Sequence, residues 1–170
     1  MQHLNLTEEQ KALWEKVQAF DPDDPDSSFT FSDRLARENG WRLDYALRVI
    51  TEYKKFIFLI CIAPHTLTPS DEVDQAWHLH LLYTRSYWED LCEKILHRKI
   101  HHGPTKGGRQ EGMKYRDLYE RTKAFYAEKF GAPPPADIWP GTETRFREID
   151  FVRVNRRRNW IIAKPNFKFT

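Results

Sequence analysis

Cysteine and glycine are scarce in this chain of 170 residues, which has two of the first and seven of the second. Two thiols, Cys61 and Cys92, cannot staple a disulfide scaffold and fit a reducing compartment. With so few glycines there is no glycine-rich or other low-complexity tract, and neither a Gly-x-Ser-x-Gly elbow nor a phosphate-binding glycine loop occurs. Long apolar runs are missing too. The longest, Phe56 to Ala63, has eight residues, whereas a membrane-spanning helix needs about 20, so no membrane insertion is expected. Residues 1–10 lack the apolar core of a secretory signal, which leaves a cytoplasmic location as the expectation. Charge of one sign is not in excess either: 27 Lys and Arg face 25 Asp and Glu, a net +2. What remains is 40% hydrophobic and 14% aromatic. A chain of this length buries about 70% of its unfolded surface, enough for one self-sufficient core.

The elements read as helices. Thr7-Glu8-Glu9-Gln10 is a reciprocal capping arrangement, followed by Leu13, Trp14, Val17 and Phe20 at helical spacing. Asp21-Pro22-Asp23-Asp24-Pro25-Asp26 has four carboxylates but no glycine at the bend and no closing glutamate, so it reads as a solvated linker and not a calcium loop. A short helix is predicted over 32–39, with Gly40 as its stop. From Leu43 the positions Ala46, Leu47, Ile50, Tyr53, Ile57 and Ile60 mark a core helix that ends before Pro64. Ser70 then caps a helix predicted to run unbroken over 71–97, on the stripe Val73, Trp77, Leu81, Thr84, Trp88, Leu91 and Ile95. Another helix is predicted over 110–130 from Tyr115, Leu118, Tyr119, Thr122, Phe125 and Tyr126, closed by Gly131 and Pro133 to Pro135. Alternation in Ile149 to Val154, with Trp160-Ile161-Ile162 beyond, suggests a short β-hairpin or an extended arm packed back on the helices.

Five of the seven histidines, His78, His80, His97, His101 and His102, lie within 25 residues. On a helix Asp74 and His78 project within about 40° of each other, whereas His80 points about 200° away from His78. His-x-His chelation, natural on a strand, is therefore denied to this helix. A consistent site takes Asp74 and His78 from the helix and His101 or His102 from the following loop. One carboxylate and two imidazoles with open positions suit zinc or non-haem iron. His80 then belongs to another face, behind the ligands or towards a partner. The plainer reading stays open beside it: Asp74 orients a structural imidazole, and His101 and His102 anchor a loop through backbone carbonyls. Cys92 lies beside the apolar stripe and reads as a buried inert thiol.

Charge is distributed unevenly. Residues 145–170 hold eight cations against Glu148 and Asp150, a local +6, so residues 1–144 carry −4. Arg156, Arg157 and Arg158 beside Trp160 can contact nucleic-acid phosphates in a salt-sensitive way, or form a solvated basic turn.

Several spaced motifs agree in order with one family. Val73-Asp74-Gln75-Ala76-Trp77-His78-Leu79-His80, Tyr87, Cys92 and His101-His102-Gly103-Pro104 resemble the hallmark of the glycine-rich domain-containing-protein-like family of plants and bacteria. Asn39-Gly40-Trp41, Glu52 to Phe56, Tyr115 with Tyr119, and Pro134 to Pro140 agree with its bacterial branch, and the resemblance covers roughly residues 31 to 140. It implies no established biochemical activity. Plant members are associated with development and stress responses, and some have an added RNA-binding segment and a glycine-rich tail, whereas this sequence holds no glycine-rich tract. The resemblance makes Asp74, Trp77, His78, His80 and His102 the residues to test first.

The expectation is thus a mainly α, compact single domain of about five helices with a short extended or β-hairpin C-terminal element. Residues 1–144 form the helical domain and 145–170 a basic arm or hairpin packed on it. Its expected function is that of a soluble module with an Asp/His metal site (Asp74, His78 and His102, with His101 or His80), holding zinc or iron for metal-assisted hydrolysis. The alternatives are a non-catalytic module that meets a protein partner and has structural histidines, or nucleic-acid binding through Arg156 to Arg158.

Overall fold

Thr7 caps the first helix, α1 (Glu8–Ala19), as the sequence predicts: its hydroxyl accepts the Gln10 N–H at 3.2 Å, and the Gln10 side chain accepts the Thr7 N–H at 3.2 Å. The same reciprocal bonding joins Thr30 and Asp33 at the head of α2 (Phe31–Asn39). That helix ends where Gly40 adopts φ 67°, a left-handed conformation suited to glycine. The structure is a computed structural model that describes residues 4–103, 109–147, 154–155 and 157–162.

The central element is α3 (Leu43–Ile62), which packs against α1, α2 and the next helix. It buries Ala46, Val49, Ile50, Tyr53, Phe56 and Ile57. Leu47, expected on this stripe, is half exposed, as is Leu43. The buried face is rotated towards Val49 and Phe56, because α1, α2 and α4 meet α3 on that side. Ala63 leaves the helix in an extended conformation, as a residue before proline must.

Ser70 caps α4 (Asp71–Leu82) by accepting the Val73 N–H at 3.2 Å. The unbroken helix over 71–97 is not formed. The chain breaks at Tyr83 and resumes as a π-helix, Arg85–Ile95. Its wider turn, seen in the 2.9 Å bond from the Leu96 N–H to the Leu91 carbonyl, aligns residues four or five apart. Tyr87, Leu91, Cys92 and Leu96 are consequently buried, while Thr84 is exposed and Trp88 and Ile95 are half-buried. His97, at φ 51°, terminates the element.

Helix α5 (Arg109–Phe130) buries Leu118, Tyr119, Thr122, Tyr126 and Phe130, and Gly131 at φ 73° ends it. The chain then returns through buried Ile138 and Trp139 to a single turn, α6 (Thr142–Arg145). A buried carboxylate ties these parts together. Glu52 accepts from Lys55 Nζ at 2.8 Å, the Tyr126 hydroxyl at 3.1 Å and Trp139 Nε1 at 3.1 Å, joining α3, α5 and the returning segment. The fold is mainly α, with no strand among the described residues. The alternating segment 149–153 lies outside the described residues, and Trp160, Ile161 and Ile162 are exposed.

Candidate metal centre

One turn of α4 sets Asp74 beside His78, with Asp74 Oδ2 3.6 Å from His78 Nδ1. The third group arrives by a route that begins in the core. The Tyr87 hydroxyl accepts the Trp77 Nε1–H at 2.9 Å and donates to the Ile100 carbonyl at 2.7 Å. The π-helix thereby fixes the loop 97–102 against α4. Two residues beyond Ile100, His102 Nε2 lies 2.8 Å from Asp74 Oδ1. The Trp77 and His102 rings meet in a T-shaped contact, with centroids 4.5 Å apart, and the His78 and His102 rings are 4.4 Å apart.

One ligand atom from each of Asp74, His78 and His102 lies within 4.8 Å of the others. Metal bonds of about 2.1 Å put adjacent ligand atoms about 3.4 Å apart in a tetrahedral centre and about 3 Å apart in an octahedral one. The Asp74 Oδ1 and His102 Nε2 pair, at 2.8 Å, is already close to the octahedral spacing. His78 has to close the remaining distance, and its half-exposed side chain has room to do so, whereas Asp74 and His102 are 20% and 17% exposed. The donor set is one carboxylate and two imidazoles on one side, which leaves positions open for water or substrate.

The other predicted residues are placed elsewhere. His80, fully buried, lies among Phe20, Phe31, Tyr53 and Tyr87. Its Nδ1 meets the Tyr53 hydroxyl at 2.8 Å and its Nε2 the Ser86 hydroxyl at 3.0 Å. Burial lowers its pKa to about 4, so the ring is neutral at pH 7. The helix rotation that separates His80 from His78 is the physical reason it does not join Asp74. His101 packs on Trp88, with centroids 5.5 Å apart, because successive residues of an extended loop face opposite ways. Burial pushes the Cys92 thiol up and Cys61 to about 11, which leaves both as poor nucleophiles. Arg157 and Arg158 are exposed, and Arg156 lies outside the described residues.

Sequence reasoning did not find the hydroxyls of Tyr53, Ser86 and Tyr87. Tyr87 stood only among residues carrying a family resemblance, and nothing in its spacing announces a bond to Trp77, because the intervening break and change of helix type reset the register.

The fold and site define an all-helical domain with a carboxylate and two imidazoles set at the junction of a helix and a returning loop. Residues 30–121 match the UCP032817-like family, and the chain belongs to it. Over 87 residues it is 30% identical to glycine-rich domain-containing protein 1 of Arabidopsis thaliana, covering 48% of this chain and 10% of that protein. Over 93 residues it is 29% identical to glycine-rich domain-containing protein 2 of the same plant, covering 48% of this chain and 11% of the relative. The chain thus spans about a tenth of the length of these curated relatives. No solved structure matches it. Asp74, His78 and His102 all fall inside the matched segment.

Proposed function

We propose that Asp74, His78 and His102 bind a divalent transition-metal ion, zinc or ferrous iron, and that the domain supports metal-assisted hydrolysis there. The observation that carries this reading is the convergence of three ligand atoms within 4.8 Å from a helix and a loop otherwise separated in sequence. Asp74 supplies negative charge and the two imidazoles supply neutral nitrogen donors. A divalent ion held by these three residues would supply Lewis acidity that lowers the pKa of water towards 7 for hydrolysis. Trp77 and the Tyr87 bridge hold His102 against Asp74, so the pair is set before any ion arrives. Elemental analysis of protein purified without an affinity tag tests the reading. It expects stoichiometric zinc or iron that is lost in His78→Ala; no metal, with melting unchanged by chelator, overturns it in favour of a structural Asp–His pair.

A second reading is supported by a different observation: Arg157 and Arg158 are exposed beside Trp160, which is 95% exposed. This arm offers guanidinium groups and an aromatic face to a nucleic-acid strand. Retention on nucleic acid that falls steeply with salt and with loss of Arg157 and Arg158 supports it; salt-independent retention, or none, removes it.

A further inference from the structure

On the other side of the loop that carries His102 lies a groove of about 730 Å³ lined by Trp88, Cys92, Glu93, His97, Arg98, Lys99 and His101. That volume falls within the range of about 300–1,000 Å³ typical of small-molecule sites. Its chemistry is uneven in an informative way. Trp88 and His101 form an aromatic wall, with ring centroids 5.5 Å apart. Arg98 and Lys99 contribute two fixed positive charges against one carboxylate, Glu93. Arg98 is not loose on the surface, since its Nη1 donates to the Cys61 carbonyl at 3.1 Å. A flat ring carrying an anionic group matches this combination, the ring taking the aromatic wall and the anion the guanidinium and ammonium.

Cations near the end of a helix also complement its carbonyls, so charge alone does not make a ligand site. One backbone irregularity at this groove goes beyond capping. Eleven residues of π-helix, Arg85–Ile95, replace the α-helix that the sequence pattern would support, and such widened turns recur at functional sites. His97 at φ 51° is the left-handed stop of that element, with the Arg98 N–H bonded back to the Cys92 carbonyl at 3.1 Å, and it brings the chain to the edge of the groove. Together they displace Trp88 from the core stripe to a half-buried position at the groove and turn residues 98–101 around it.

We propose that this groove binds a nucleotide, its heteroaromatic ring against Trp88 and its phosphate at Arg98 and Lys99. The site is separate from the Asp74 group and does not depend on it for a ligand. Isothermal titration calorimetry on the full chain with AMP, adenosine and inorganic phosphate tests it. AMP binds at one equivalent, while adenosine and phosphate each bind about tenfold more weakly or not at all. Arg98→Ala, a change at an exposed side chain, and Trp88→Ala each lower AMP affinity about tenfold. A short single-stranded oligonucleotide separates the two sources of this chemistry: tighter binding than AMP, again lost with Arg98→Ala, assigns the groove to a strand, and equal or weaker binding assigns it to a free nucleotide. No AMP binding at millimolar concentration, adenosine binding as tightly as AMP, or an unchanged affinity in Arg98→Ala overturns the proposal.

Discussion

His102 Nε2 lies 2.8 Å from Asp74 Oδ1 across 28 residues of chain, and that contact closes the loop of the π-helix unit onto α4. It is a hydrogen bond that anchors a loop, and under the metal reading proposed above the same two atoms would become neighbouring ligands. Asp74→Asn keeps the shape of the side chain and removes its charge. Metal affinity is expected to fall by about 100-fold or more, with the helical circular dichroism signal retained. Direct titration with cobalt or zinc measures it.

The Tyr87 hydroxyl is the hinge pin of the site. Tyr87→Phe leaves the Trp77 N–H and the Ile100 carbonyl without their shared partner, at a cost of about 1–3 kcal/mol in stability. Because Ile100 precedes His102 by two residues, the variant is also expected to bind metal about tenfold more weakly. Thermal unfolding and a metal titration on the same preparation check both. A loss of stability with unchanged affinity would show that the bridge holds the fold but does not position His102.

His80 makes stability depend on pH. Its pKa is lowered by burial to about 4 in the folded protein, against about 6.5 when unfolded. Between these values the unfolded chain binds the extra proton, so stability falls as pH drops from about 6.5 towards 4 and the loss levels off below. The full loss from this residue is on the order of 3 kcal/mol. Urea unfolding at pH 7 and pH 4.5 measures it. His80→Gln is expected to lower stability at pH 7 and to flatten the dependence in this window; an unchanged slope would assign it to other groups.

Glu52 is buried with three donors aimed at it. Glu52→Ala removes the counter-charge of Lys55, which keeps its 2.6 Å bond to the Tyr126 hydroxyl, and leaves the Tyr126 and Trp139 donors unmatched. The expected cost is about 2–4 kcal/mol, below that of a fully buried pair because Lys55 keeps some contact with water. Denaturant midpoints at constant slope report it.

Local signals in the sequence were enough for most of the fold. Thr7, Ser70 and Gly40 act as the caps and stop their residue types predict, since these are contacts within three or four residues. The separation of His80 from His78 likewise follows from helix rotation alone. The break at Tyr83 did not follow, because Thr84, Trp88 and Ile95 continue an α-helical spacing that tertiary packing of Tyr87, Leu91 and Cys92 overrides. The choice between His101 and His102 was also hidden. It depends on where the Tyr87 bridge fixes Ile100, a contact set by the register of the π-helix.

The most direct test of the central claim is a cobalt titration of metal-free, untagged protein followed by d–d absorption, for wild type and for His78→Ala and His102→Ala. Saturation at one equivalent in the wild type, with a loss of the signal in both variants, is the predicted result. An absent signal, or one that persists in both variants, would contradict a metal centre at Asp74, His78 and His102.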